Sequence, residues 1–124
     1  MGDLSKNISR HEVACKCHCG FDTLDIDTAM IVQGACDYFA MKLDIPRVAL
    51  IITSGCRCLG YNRTVGSTDG SQHPKGRALD IKILEVSPED VYAYFTTTYP
   101  DRFGFGKYDT FTHVDTRTNG PARW

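Results

Sequence analysis

The stretch Ser71-Gln72-His73-Pro74-Lys75-Gly76-Arg77-Ala78-Leu79-Asp80 joins a polar, glycine-rich segment to an alternating one. Over residues 77–83, polar or small residues alternate with Leu and Ile, which is the period of a half-buried β-strand. An unpaired carboxylate is costly to bury among such neighbours, so Asp80 needs a metal ion or another cation beside it. If the chain turns between them, His73 converges on Asp80.

A second pair of ligand types, His113 and Asp115, forms a His-x-Asp on a strand predicted over residues 110–116. Residues i and i+2 of a strand share one face and lie about 7 Å apart. A catalytic zinc ion takes three His, Asp or Glu ligands and keeps one position open for water. We therefore expect His73, Asp80 and His113 to hold zinc, while Asp115 transfers protons. Each residue alone is more often an ordinary hydrogen-bonded group, so the joint pattern carries the prediction.

The remaining periodicities predict an α+β fold with a small, mainly antiparallel sheet and two or three helices. Ser9 and Glu12 form a capping box for a short helix, and Asp27 caps a main helix that ends near Leu43. Apolar runs and caps predict the other elements: a buried strand over 48–53, a helix over 87–97, and strands over 77–83, 103–108 and 110–116. Residues 54–72 have the composition of a long loop, and the tail after Gly120 is predicted to be irregular.

The composition is that of one folded domain. The chain has 124 residues, of which 42% are hydrophobic and 23% charged, and its formal net charge is −1. This length supplies one core, so we expect a single domain over residues 1–124, and we expect a monomer. The near-neutral charge excludes a basic surface for nucleic acid, and no apolar run approaches a membrane span. The first residues lack a signal-peptide pattern, which predicts synthesis in the cytoplasm without an encoded export signal.

Cysteine is the unusual residue in the composition, with six in the chain. Five lie in two groups, residues 15–19 and 56–58, and Cys36 stands apart. Cys-x-Cys neighbours bridge each other poorly, so any disulfides would join the two groups. Reduced thiols and a structural zinc ion between the groups both stay open, because the spacing is not the usual Cys-x2-Cys pair.

The ten residues from Ser71 to Asp80 resemble, position for position, the Ser-x-His-x-x-Gly-x-Ala-x-Asp motif of the zinc DD-carboxypeptidase family, peptidase M15. That family includes phage endolysins that cut L-Ala–D-Glu bonds, and its fold is shared with the Hedgehog signalling domain. Thr53-Ser54-Gly55-Cys56-Arg57 is similar to the family's Thr-Ser-Gly-Tyr-Arg segment. Residues 111–117 and 122–124 resemble the end of a short, phage-associated branch. The resemblance covers nearly the whole chain and implies a Hedgehog/DD-peptidase-like fold.

The resemblance also implies roles for individual residues. It implies zinc on His73, Asp80 and His113. It implies that Arg57 binds a substrate carboxylate or the oxyanion of the tetrahedral intermediate. Two residues directly before His73, Ser71 and Gln72, are expected to orient its imidazole or to contact substrate. For Ser71 a plain turn-forming role is an equal alternative.

The general base is where this chain departs from the family pattern. Many members place a catalytic Asp or Glu three residues before the last His, and this chain has Thr110 there. The candidates are Asp115 and Asp109. On a straight strand Asp109 lies about 13 Å from His113, and Asp115 about half that, so we favour Asp115 as the base.

The function expected from these residues is zinc-dependent hydrolysis of peptidoglycan stem peptides at the bacterial cell wall, by a phage-encoded or bacterial protein. D-Ala-D-Ala carboxypeptidase and L-Ala-D-Glu endopeptidase activities both stay open, because spacing does not show the shape of a specificity pocket. The alternative is a non-catalytic, zinc-containing binding or structural module of a phage particle. A third reading is a metal or redox protein built on the cysteines.

Overall fold

The helices and strands follow the α+β order that the sequence predicts. The structure is a computed structural model that describes residues 4–16, 24–55, 73, 76–118 and 120–124. Three helices lie in these ranges: α1 (Arg10–Val13), α2 (Ile26–Lys42) and α3 (Pro88–Thr98). Five strands form one sheet: β1 (Leu50–Ser54), β2 (Ala78–Ile83), β3 (Phe103–Lys107), β4 (Thr112–Asp115) and β5 (Pro121–Arg123).

The sheet has the strand order β1-β2-β4-β3-β5. All neighbouring strands are antiparallel except β3 and β5, which run parallel. The register of the three middle strands places Asp80 opposite His113, with Gly106 on the other side of His113. The next row on the same face contains Ala78, Asp115 and Gly104. The predicted site residues therefore share one face with the smallest residues of the sheet.

The opposite face of the sheet holds the core. Alternate positions on the three middle strands point to it, and their side chains are fully or almost fully buried: Leu79, Ile81, Phe105 and Val114. Helix α2 packs the buried side chains of Ile31, Val32, Ala35, Cys36 and Phe39 into the same cluster, and α3 adds Val91 and Phe95. None of the helices in the described ranges has the length and apolar character needed to span a bilayer.

The N-cap of helix α2 lies two residues before the N-cap predicted from the sequence. Asp25, not Asp27, is the N-cap, and its carboxylate accepts a hydrogen bond from the Asp27 N–H at 3.1 Å. The Asp25 N–H donates to the Gly76 carbonyl at 2.7 Å, and the Thr28 and Thr116 hydroxyls lie 2.7 Å apart. The first turn of the helix is thereby bonded to the chain beside β2 and β4, which fixes the helix against the site strands.

Three predictions about strands are wrong. Strand β1 is not buried, because Ile51 is exposed and the other residues of Leu50–Ser54 are only partly buried. Strand β2 is not half-buried, because residues 78–81 are buried on both faces and only Lys82 is exposed. The tail is not irregular, because Pro121–Arg123 pairs in parallel with β3. The Arg123 guanidinium lies 4.8 Å from the Phe105 ring centroid and donates to the carbonyls of Phe103 and Tyr99 at 2.9 and 2.7 Å. Such a strand depends on contacts distant in sequence and has no local periodicity.

The burial of Cys36 generates a prediction about thiol reactivity. Its side chain is 1% exposed, and burial, with the nearby charge of Asp37, raises the pKa of the thiol to about 12. At pH 8 only about one such thiol in 10,000 is ionised, against about one in four for an ordinary cysteine. We expect iodoacetamide to leave Cys36 unmodified in the native protein and to modify it in denaturant, as read by peptide mass spectrometry. Alkylation of native Cys36 at the rate of the unfolded chain would contradict the described packing.

Candidate metal centre

Three of the predicted ligands come together at one point on the sheet. One ligand atom from each of His73, Asp80 and His113 lies within 4.8 Å of the others. Strands β2 and β4 bring Asp80 and His113 together, because their register makes them direct partners. His73 joins them through a tight turn, in which the Gly76 N–H donates to the His73 carbonyl at 3.1 Å and Gly76 adopts a φ of 68°. A glycine suits this left-handed backbone because it has no Cβ to clash.

The side chain of His73 is oriented by the backbone of β1's end. Its Nδ1 lies 2.6 Å from the carbonyl oxygen of Gly55. A carbonyl only accepts, so Nδ1 carries the hydrogen and Nε2 faces Asp80, with 3.4 Å between Nε2 and Oδ2. A Cβ on Gly55 would lie 2.5 Å from the Val13 carbonyl oxygen, so a glycine is required for this approach. This arrangement turns Nε2 of His73 towards the Asp80 carboxylate.

Asp80 is a buried carboxylate held in its ionised form. Burial alone would raise its pKa, but hydrogen bonds with His113 and His73 outweigh burial and hold the pKa of Asp80 well below its usual range. Its Oδ1 lies 2.9 Å from Nδ1 of His113. Burial would likewise lower the pKa of His113, but its contacts with Asp115 and Asp80 outweigh it and raise that pKa. The cluster is therefore a buried Asp80 carboxylate that contacts two buried imidazoles.

The donor set fits zinc. Two imidazole nitrogens and one carboxylate oxygen are typical protein ligands of a catalytic zinc ion, which keeps a fourth position open. The carboxylate supplies the negative charge that a divalent cation needs, and its burial makes a cation at this point favourable. Within the described ranges, this is the one group of His, Cys, Asp and Glu side chains with such a spacing.

Asp115 lies on the far side of His113 from Asp80. Its Oδ2 is 2.7 Å from Nε2 of His113, whereas Asp80 contacts Nδ1 of the same ring. The Asp115 side chain is fully buried, and Arg117 donates to it through Nε at 2.8 Å and through Nη2 at 2.7 Å. Burial would raise the pKa of Asp115, but Arg117 and His113 outweigh it and lower that pKa. Asp115 thus contacts the ring of a candidate ligand, and its ion pair with Arg117 is not predicted from the sequence.

Glycines on β3 make room for this arrangement. A Cβ on Gly104 would lie 2.5 Å from Oδ1 of Asp115, and one on Gly106 would lie 2.5 Å from Nε1 of Trp124. The Trp124 ring centroid lies 5.0 Å from that of His113, and the Arg117 guanidinium lies 5.2 Å from it. The sequence analysis did not predict that Trp124 and Arg117 lie against the site. The Phe-Gly-Phe-Gly alternation of β3 could have indicated it, because its Phe side chains face the core and its glycines leave space on the site face.

Several predicted site residues cannot be placed. Arg57, Ser71 and Gln72 lie outside the described residues, as do the cysteines of both groups except Cys15. Asp109, the alternative base, is exposed in the turn between β3 and β4 and is not part of the His73, Asp80 and His113 cluster.

Comparison with known proteins gives one match. A family model described as Peptidase M15 matches residues 6–115. The matched range runs from before α1 to the end of β4 and contains all three candidate metal ligands. No curated protein and no solved structure matches the chain.

The geometry predicts one zinc ion per chain at this cluster. We expect His73→Ala to weaken zinc binding by more than the about 10–100-fold that loss of a supporting group costs, because it removes a ligand outright. Competition with a chromophoric chelator measures the affinity. The matched control is His11→Ala, since His11 is exposed on α1.

Binding of zinc by the His73→Ala protein as tightly as by the His11→Ala protein would contradict this site. Substitution with cobalt separates the site from the cysteines, because a thiolate ligand adds an intense near-ultraviolet charge-transfer band. We expect that band to be absent when the wild-type protein has bound one equivalent of cobalt.

Proposed function

Since the chain belongs to the peptidase M15 family, we propose that it is a zinc-dependent peptidase that hydrolyses peptidoglycan stem peptides. The observation that carries the proposal is the convergence of His73, Asp80 and His113 on one buried face, in a chain that matches the family over residues 6–115. A D-Ala-D-Ala carboxypeptidase and an L-Ala-D-Glu endopeptidase are the two activity types, and the substrate places the protein's action at the bacterial cell wall.

The contacts of the described residues determine which of their atoms would bind the metal ion. His73 offers Nε2 because Gly55 occupies Nδ1, and Asp80 supplies the negative charge between the two imidazoles. Zinc, when bound there, would polarise the scissile carbonyl and lower the pKa of water to about 7. The Trp124 ring lies beside His113 on the β3 side of this site.

Substrate contacts are proposed for residues that the sequence singles out. Arg57 follows Gly55 by two residues in the sequence, and the Gly55 carbonyl contacts His73. We propose that Arg57 binds a substrate carboxylate or the tetrahedral oxyanion, where one well-aimed donor contributes about 3 kcal/mol. Gln72 directly precedes His73, and with Ser71 it is proposed to orient that imidazole or contact the peptide.

The general base predicted from the sequence is one of two aspartates. The sequence favours Asp115 over Asp109, and that choice stays a prediction. The contacts of Asp115 support a different role, because its carboxylate is fully buried against His113 and Arg117.

Digestion of purified peptidoglycan tests the proposal. We expect the zinc-loaded protein to release new amino groups, a chelator to abolish the release, and added zinc to restore it. Masses of the products from a defined muropeptide identify the bond: loss of one alanine indicates the carboxypeptidase, and separation of the peptide after L-Ala indicates the endopeptidase. The His11→Ala protein, prepared in the same way, is the control and should release amino groups as the wild type does.

Release of amino groups by fully metal-free protein would overturn the proposal. Stoichiometric zinc with no release over hours would also overturn it, and would favour the non-catalytic binding module instead.

A further inference from the structure

A buried ion pair lies directly behind the candidate metal centre. Each oxygen of Asp115 has donors: Oδ1 accepts from the Arg117 backbone N–H at 3.2 Å and from Nε at 2.8 Å, and Oδ2 accepts from Arg117 Nη2 and from His113 Nε2, both at 2.7 Å. The side chain of Asp115 is 0% exposed and that of Arg117 is 23% exposed. No face of this carboxylate is turned towards solvent, so it is poorly placed to take a proton from water.

The two nitrogens of His113 face two different carboxylates. Nδ1 faces Asp80 and Nε2 faces Asp115. Carboxylates only accept hydrogen bonds, so each contact requires a hydrogen on the facing nitrogen. A metal ion bound on the Asp80 side would take the place of the hydrogen on Nδ1. The hydrogen on Nε2 would then stay with Asp115, and the ring would have a single tautomer with Nδ1 as the ligand atom.

We propose that Asp115, held in place by Arg117, is a positioning residue that fixes the tautomer and the ring plane of His113 for metal binding. The proposal rests on the metal site of the proposed function, but not on which bond is cut. Carboxylates that accept a hydrogen bond from a ligating imidazole commonly act in this way and contribute about 10–100-fold to metal affinity.

The surrounding strands hold the ion pair in one geometry. Arg117 binds the carboxylate through two nitrogens, which fixes its plane as well as its position. A Cβ on Gly104 would come within 2.6 Å of both Asp115 oxygens and of Arg117 Nε, so β3 must have a glycine at this position. The Trp124 ring covers the guanidinium at 5.2 Å. Strand β3, strand β4 and the residues after β4 therefore converge on one imidazole.

Substitution of Asp115 by Asn tests the proposal. The amide has the same shape, but it can present either its oxygen or its NH2 group to His113, so it no longer selects the tautomer. We expect zinc affinity, measured by chelator competition, to fall about 10–100-fold. We also expect the 15N shift of Nε2 in the His113 ring to differ from that of the wild type in the metal-free protein. Asp101→Asn, at an exposed carboxylate before β3, is the matched control, and its affinity and shifts should equal those of the wild type.

Arg117→Gln provides a second test that leaves the Asp115 side chain intact. It removes the bidentate partner, so we expect a smaller loss of zinc affinity in the same direction and the His113 Nε2 contact to persist in the 15N spectrum. Thermal unfolding of each variant identifies any that fails to fold, and the other variant then carries the test.

Two results would overturn the proposal. One is unchanged zinc affinity and unchanged His113 shifts in folded Asp115→Asn protein. The other is full zinc affinity with at least about 100-fold slower hydrolysis, which is the loss typical of a general base. Failure of the proposed function looks different: the wild type would bind zinc, Asp115→Asn would bind it more weakly, and neither would hydrolyse peptidoglycan.

Discussion

The buried carboxylate of Asp80 is the constraint on which the site depends. A buried anion is tolerated only where cationic or hydrogen-bonding groups compensate the loss of hydration. Here the compensation comes from His113 on the neighbouring strand and from His73 in the turn before β2. Both contacts need one register between β2 and β4, because a shift of one residue would turn His113 towards the apolar core. The candidate metal site and the strand pairing thus depend on the same contacts.

The middle strands divide their two faces between stability and chemistry. Phe105 and Val114 point into the core, whereas Gly104, Gly106 and Asp115 line the site face. The glycines lack the side chains that would otherwise fill the space of the Asp115–Arg117 pair and of Trp124. A strand with so little side-chain surface on one face is weakly stabilised there. Packing of the opposite face and the pairing with β5 offset this loss.

The convergence of the three candidate ligands follows in part from local sequence. The residue pattern over 71–80 predicts a His and an Asp close together, whereas the β2–β4 register that brings His113 opposite Asp80 is seen only in the structure. The α+β class followed from helix caps and alternation, and both are local as well. The Peptidase M15 match over residues 6–115 confirms the family that the motif indicated.

What escaped prediction was set by contacts distant in sequence. Strand β5 is stabilised by its parallel pairing with β3 and by the hydrogen bonds of Arg123, and no local sequence pattern predicts that pairing. Strand β2 is buried on both faces because one face packs in the core and the other lies in the cluster with His113 and Asp115. The sequence predicts no role for Arg117, and only the structure shows that it binds Asp115. Distances along a straight strand predict that Asp115 lies near the candidate metal site, but they do not predict which nitrogen of His113 it contacts.

X-ray absorption at the zinc edge tests the central claim most directly. The account predicts a zinc environment of nitrogen and oxygen at about 2.0–2.1 Å, with two imidazoles among the ligands and no sulfur. That signal should be lost in His113→Ala protein loaded with one equivalent of zinc. Sulfur scattering at about 2.3 Å in the wild type would contradict the account, because it would place the metal on the cysteines instead.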